Sequence, residues 1–303
     1  MSKADDSTLS PQQHARVRAE AARALAAAGA IGRRPTPIAD IMAAAGIQEV
    51  HDDVLNEGFL AKMRREAGAA LKSALSKVLG LFDARGRFVF IDRTIYVVKQ
   101  AFIRLHETGH GFMPWQRDLY AVVEECDQTL DPDIADLFDR EANVFASEVI
   151  FQLDAFTEEA ERHDFGILTP VKMSKEYGAS IYASIRRYVA NNHRACAVLV
   201  LNPPELIEGD GFRAVVRRSI SSPRFKILFG DIKWPAYFTP DHDIGAMVPL
   251  GKRRMTGKRS LGIRDSNGDM RECIAEAFTQ GHQIFVLIHA IQTLPQSSII
   301  VRP

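Results

Sequence analysis

An apolar stripe at helical spacing that leads directly into a His-Glu-x-x-His sequence is the strongest constraint on this chain. Ile95, Val98, Phe102 and Leu105 recur at steps of three and four, the period of one buried helix face. His106 and His110 continue the same helix one turn apart, so both imidazoles can face one point from the edge of a core. Gly111 and Pro114 predict that the helix stops just after the second histidine. Glu107 sits one position round from His106, where a carboxylate can reach a water near those imidazoles and act as a general base. The pattern predicts a Zn²⁺ site with hydrolytic chemistry, with His106 and His110 as ligands and Glu107 as the catalytic residue.

A catalytic zinc site takes a third protein ligand and leaves one position open. The next strong helical pattern, residues 133–156, carries Ile134, Phe138, Ala142, Phe145, Val149, Leu153 and Phe156 on one face. At about 100° per residue, Asp139 and Glu141 flank that face on opposite sides, so periodicity leaves both open as ligands. Their neighbours one turn on differ. Asp139 is followed at i+4 by Asn143, whose amide can orient a ligand, whereas Glu141 is followed by the core residue Phe145. That favours Asp139, with Glu141 as the alternative.

Several blocks, in order, resemble the ImmA/IrrE metallo-endopeptidases. Arg34-Pro35-Thr36-Pro37-Ile38-Ala39-Asp40-Ile41 with Gly46-Ile47 is similar to the family's proline-led first helix. Arg87-Phe88-Val89-Phe90-Ile91-Asp92 is similar to its short strand before the active-site helix. Phe102-Ile103-Arg104-Leu105-His106-Glu107-Thr108-Gly109-His110 matches its Phe-x-x-x-His-Glu-x-Gly-His, and Arg140-Glu141-Ala142-Asn143-Val144-Phe145-Ala146 matches its Glu-Ala-Asn-x-Phe-Ala block. The resemblance places the acidic ligand four residues before that Asn, at Asp139. The family commonly has Glu there. Asp is one methylene shorter, so its helix is expected nearer the metal. The resemblance also implies a zincin-like endopeptidase whose protein substrate is a helix-turn-helix transcriptional repressor, cleaved in a stress, DNA-damage or mobile-element response. A regulator that binds DNA or protein without proteolysis, around a structural or vacant zinc site, is the competing class. Glu107 argues against it, because a structural site needs no base. Tyr96, Tyr120 and several Arg stand as candidates for steadying the oxyanion.

With 303 residues, zero formal net charge and 46% hydrophobic residues, the chain has ample core and no global pull toward nucleic acid or membrane. No apolar run approaches the roughly 20 residues of a membrane span. The first residues carry no signal-peptide core, and Cys126, Cys196 and Cys273 form no metal-spaced pair. A cytoplasmic protein is expected.

The expected fold class is α+β. Residues 1–10 read as a disordered tail. Residues 11–165 read as a mostly helical zincin-like core that includes N-terminal helices at 11–28, 37–45 and 56–79. Residues 166–194 read as helix-turn-helix-like, with Ser180 as N-cap and Ser184, Arg186, Arg187 and Tyr188 on the second helix. A scaffold role is favoured there over DNA binding, because flanking basic residues are few. Residues 195–303 read as a sheet-containing accessory domain, which the resemblance associates with sensing. Strands are predicted at 197–201, 212–220, 225–229, 245–250, 260–265 and 283–290, with a helical or mixed stretch at 271–281. The cation-rich run at 251–259 reads as a solvated loop.

Overall fold

A computed structural model describes residues 8–49, 80–83, 87–91, 96–125, 130–207, 211–252 and 254–291. The predicted helix at 56–79, the tail before residue 8 and Cys126 lie outside them. The described part of the chain divides into two compact units, one within residues 4–162 and 171–184, the other within 163–170 and 185–303. The stretch at 166–194, expected to stand apart, is shared between them. Helices precede an antiparallel sheet, which is the α+β arrangement expected.

The first unit begins with α1 (Pro11–Ala27), opened by a capping box in which Ser10 and Gln13 satisfy each other's backbone N–H. Val17, Ala21, Ala24 and Leu25 form its buried face. A short α2 (Ile38–Ala44) follows. Strands β1 (Gln48–Glu49), β2 (Gly80–Asp83) and β3 (Phe88–Ile91) form a small sheet with β3 central, parallel to β1 and antiparallel to β2. The motif helix α3 (Val97–Phe112) runs past Gly111, and Pro114 opens α4 (Pro114–Glu125) instead of only closing α3. Pro fits there because the first turn of a helix has no use for its missing N–H.

Helix α5 (Pro132–Ile150) is shorter than its apolar period suggested. The chain turns at Gln152 and Leu153, both at positive φ (50° and 59°), before α6 (Ala155–Ala160). The Gln152 amide holds the turn from outside. It accepts from Gly32 N at 2.7 Å and donates to Ala30 O at 3.1 Å and to Arg33 O at 2.5 Å. Leu153 and Phe156 therefore leave the α5 face, and Ile134 at its other end is exposed, while Phe138, Ala142, Phe145 and Val149 are buried as predicted. Helices α7 (Leu168–Glu176) and α8 (Ile181–Ala190) follow, with Ser180 Oγ accepting from Ala183 N as an N-cap should. Ser184, Arg187 and Tyr188 on α8 are buried, so three of the four side chains considered for base reading are not displayed.

The second unit is built on the sheet order β5-β6-β4-β10-β9-β8, with β7 (Tyr237–Phe238) on β6. Its members are β4 (Cys196–Leu201), β5 (Glu205–Ile207), β6 (Gly211–Ser221), β8 (Met255–Arg264), β9 (Met270–Thr279) and β10 (Ile284–Ala290). Three expectations are corrected here. Residues 225–229 are not a strand but the end of helix α9 (Pro223–Phe229), capped by Ser222 Oγ on Phe225 N at 3.1 Å. Residues 245–250 contain a 3-10 turn (Gly245–Met247) in place of a strand. Residues 271–281 belong to strand β9, with Cys273, Ala275 and Ala277 facing one core at period two. The cation-rich run is half loop and half edge strand, since β8 starts at Met255. Cys196 and Cys273 are free and buried, and burial pushes their thiols up to about 12 and about 11. Among the described residues no helix is long and apolar enough to cross a membrane.

Candidate metal centre

Helices α3 and α5 bring three of the predicted residues to one point. His106 Nε2 and His110 Nε2 lie 3.2 Å apart. Asp139 Oδ1 lies 3.9 Å from the first and 3.8 Å from the second. The three ligand atoms fall within 4.8 Å of one another. The close approach of the helices depends on Gly109. A Cβ there would meet Phe145 Cδ1 at 3.0 Å and the Cα of Ala142 at 3.5 Å. The glycine of the motif thus lets α5 come near enough for a short Asp side chain to reach the imidazoles.

Each imidazole is held by its other nitrogen. His106 Nδ1 is 3.1 Å from Asn143 Oδ1, and His110 Nδ1 is 2.7 Å from Gln116 Oε1. An amide oxygen only accepts, so each Nδ1 carries the proton and each Nε2 presents a lone pair to the shared point. Asn143, expected to orient a ligand from behind, steadies His106. Burial lowers His106 to about 4, partly offset by Asn143. Burial and then the neighbouring His106 lower His110 to about 3, partly offset by Gln116. Both rings are neutral at ordinary pH, the form that ligates.

Glu141, the alternative ligand, is fully buried and fully occupied elsewhere. Its Oε1 accepts from Arg16 at 2.8 Å, and its Oε2 accepts from Trp115 Nε1 and Gln116 Nε2, each at 2.7 Å. Arg16 also lies over the Trp115 ring, 3.8 Å from its centroid. Gln116, Trp115 and Arg16 carried no signal in the sequence. Gln116 follows His110 by six positions across a helix break, and Arg16 lies far upstream, so no local period connects them.

Glu107 is buried beside the cluster. Burial first, and then the Asp139 carboxylate, pushes its carboxyl up to about 8. A cation held between the three ligand atoms would act in the opposite direction. Asp139 is raised by desolvation and then by Asp136. Of the two tyrosines considered, Tyr120 stands edge-on to His110 with ring centroids 5.4 Å apart. Its phenol is raised by burial and by Asp139 and Glu107. Tyr96 is 78% exposed at the N-terminus of α3, ten positions before His106 and so about 15 Å along the helix.

The donor set fits zinc. Two neutral imidazoles and one carboxylate are a ligand combination that Zn²⁺ accepts. The edge of a tetrahedral site with metal–nitrogen bonds of about 2.0–2.1 Å is roughly 3.3 Å. The imidazole pair already has that spacing.

No family model matches the chain, and no curated protein matches it. Among solved structures, a Mycobacterium tuberculosis transcriptional regulator is similar in fold, with a TM-score of 0.50 and 12% identity over 93% of this chain and 81% of that one. At that identity the likeness concerns the fold alone.

Proposed function

We propose that the chain is a zinc-dependent endopeptidase with a zincin-like core. The observation that carries this reading is the convergence of His106 Nε2, His110 Nε2 and Asp139 Oδ1 with a buried carboxyl, Glu107, beside them. A structural zinc site would be closed by four protein ligands and would have no use for that carboxyl. Here three candidate ligands are found among the described residues, and Asp139 faces solvent with 66% of its side chain exposed.

His106, His110 and Asp139 would hold Zn²⁺. When bound, the ion supplies Lewis acidity, which acidifies water and polarises a carbonyl. Glu107 takes the proton from the attacking water and returns it to the leaving amine. Asn143 and Gln116 keep both rings in the ligating tautomer throughout. Tyr120, beside His110 and close enough to feel both Glu107 and Asp139, is the residue we assign to steady the oxyanion, in preference to Tyr96. The resemblance adds the substrate class, a helix-turn-helix repressor, and the scattered cysteines add a cytoplasmic setting to the proposal.

The test is cleavage of a helix-turn-helix repressor encoded beside this chain, using zinc-loaded wild type and Glu107→Gln. The variant should hold zinc as tightly as wild type and lose cleavage by about 10²–10⁴-fold. A Glu107→Gln protein that still cleaves at the wild-type rate would sink the peptidase reading.

A further inference from the structure

A chain of hydrogen bonds runs from the N-terminal helix to one of the candidate metal ligands, and its polarity can be deduced from chemistry. Arg16 and the Trp115 indole can only donate, so the Glu141 oxygens they touch are acceptors. Gln116 presents its other end to the same Oε2 at 2.7 Å and to Phe138 O at 3.3 Å. Two acceptors on that side require the NH₂ group of the amide there. The carbonyl oxygen of Gln116 must then face His110 Nδ1, at 2.7 Å. An orientation that is ordinarily ambiguous for a glutamine is thereby settled, and with it the tautomer of the histidine.

We infer that Glu141 and Arg16 are positioning residues for the metal centre. Acting through Gln116, they hold His110 with its proton on Nδ1 and its Nε2 lone pair free, and so couple metal affinity to the docking of α1. This rests on the metal-centre reading above. Neither residue touches the metal point. Glu141 is wholly buried on the core side of α5, and Arg16 reaches it from a helix 125 positions away in sequence. If Glu141 no longer takes the Gln116 NH₂, that amide can turn over and offer a donor to Nδ1. His110 then moves its proton to Nε2, the atom that must be bare to ligate. Glu141 is fully buried beside Trp115 and the Arg16 guanidinium stacked on it, and the other acceptor on that side, Phe138 O, lies at a longer 3.3 Å, so Glu141 is the principal holder of the Gln116 NH₂.

The test uses full-length protein and two readouts. The first is Zn²⁺ affinity by chelator competition for wild type, Glu141→Gln and Arg16→Ala. Loss of a partner that orients a ligand typically weakens metal binding about 10–100-fold, and Glu141→Gln should fall in that range, with Arg16→Ala weaker in the same direction. The second is the ¹⁵N NMR signature of the His110 imidazole in metal-free protein. Wild type should show the Nδ1–H tautomer, and Glu141→Gln should show a mixture or the Nε2–H form, with His106 unchanged because Asn143 still holds it. A general loosening of the fold would move both histidines. Unchanged affinity with an unchanged tautomer overturns the relay, and so does a wild-type His110 found protonated on Nε2. If wild type binds no Zn²⁺ while its tautomer shifts as described, the metal reading fails and the relay stands. The wild-type spectrum needs no variant, so poor folding of Glu141→Gln leaves the assignment testable, and Arg16→Ala alters a half-exposed side chain that the fold tolerates more readily.

Discussion

Gly109 and Phe145 touch so closely that a methyl group on the glycine would lie 3.0 Å from the phenyl Cδ1. Phe145 is fully buried and packed, with tilted rings, 5.8 Å from Phe112, so it has little room to retreat. In an open helix, Gly→Ala gains about 1 kcal/mol in propensity. Overfilling a packed interface costs about 1–3 kcal/mol. Gly109→Ala is therefore expected to lose up to about 2 kcal/mol of stability and, by pushing α5 outward, to weaken zinc binding. Thermal melts with and without zinc check this. A stabilised variant with full metal affinity would show that the contact does not set the helix spacing.

Asp139 and Glu141 are two positions apart and do different work, so their alanine variants should separate. Asp139→Ala removes a solvent-facing side chain and should leave metal-free stability nearly unchanged while zinc occupancy collapses. Glu141→Ala deprives Trp115, Gln116 and Arg16 of their acceptor. Its expected cost is about 1–3 kcal/mol of stability, with a smaller loss of metal. Zinc content after dialysis, read beside urea melts, distinguishes the two. The reverse ranking of zinc content would move the ligand role to Glu141.

His289 in the sheet unit gives a pH prediction independent of the metal site. Its ring stacks on Phe165 at 4.8 Å, and its Nδ1 is buried without a partner among the described residues. Burial, then Lys258 and Arg194, lower its pKa to about 4 from an ordinary 6.5. Because the folded value lies below the unfolded one, the unfolded chain takes up the proton first as pH falls. This contribution to stability is complete above about 6.5 and is lost progressively toward 4. His289→Phe keeps the stack and should flatten the fall in stability between those values. Denaturant melts across that range decide it. An unaltered slope would mean the ring is protonated as easily in the fold as out of it.

Gly245 is the most crowded glycine among the described residues of the sheet unit. A Cβ there would lie 1.8 Å from Thr239 O, a backbone atom that cannot swing aside. Gly245→Ala should be among the most damaging small substitutions in the chain, costing more than about 3 kcal/mol. Soluble yield and melting temperature would show it. A variant with wild-type melting would mean that the 3-10 turn repacks freely.

The sequence carried the metal cluster because its residues sit on two long helices whose apolar faces fix their rotation. Phe138, Ala142, Phe145 and Val149 are buried as their period required, which puts Asp139 and Glu141 on the two flanks of that face; the contacts of Glu141 with Arg16, Trp115 and Gln116 decide which of the two is buried. What it could not carry was the partner that each side chain finds across helices. Asn143 was read against its own helix and turned out to hold His106 on the next one. The end of α5 was overrun for a similar reason. No Gly or Pro marks the turn at Gln152 and Leu153, which is held by contacts to residues 30–36. Helix α9 was legible after all. Ser222 followed by Pro223 is a helix start, and the apolar run Phe225 to Phe229 behind it has strand-like composition. Strand β9 hid behind Ala and Glu, residues poor in strand signal. There Glu276 is buried because its Oε1 accepts from Ile167 N at 2.7 Å.

The two sides of the candidate metal cluster differ sharply in access to solvent: the His110 side chain is 6% exposed and that of Asp139 is 66%. The imidazoles form a rigid half-site on one helix, locked from behind. The carboxylate is the third arm, on a short side chain from the facing helix, and the one open to solvent. An ion should therefore arrive and depart past Asp139, with the pair of histidines gripping first and releasing last. A chelator or a competing metal would meet the protein on that side, and the exchange rate should follow the swing of one short side chain more than any opening of the fold.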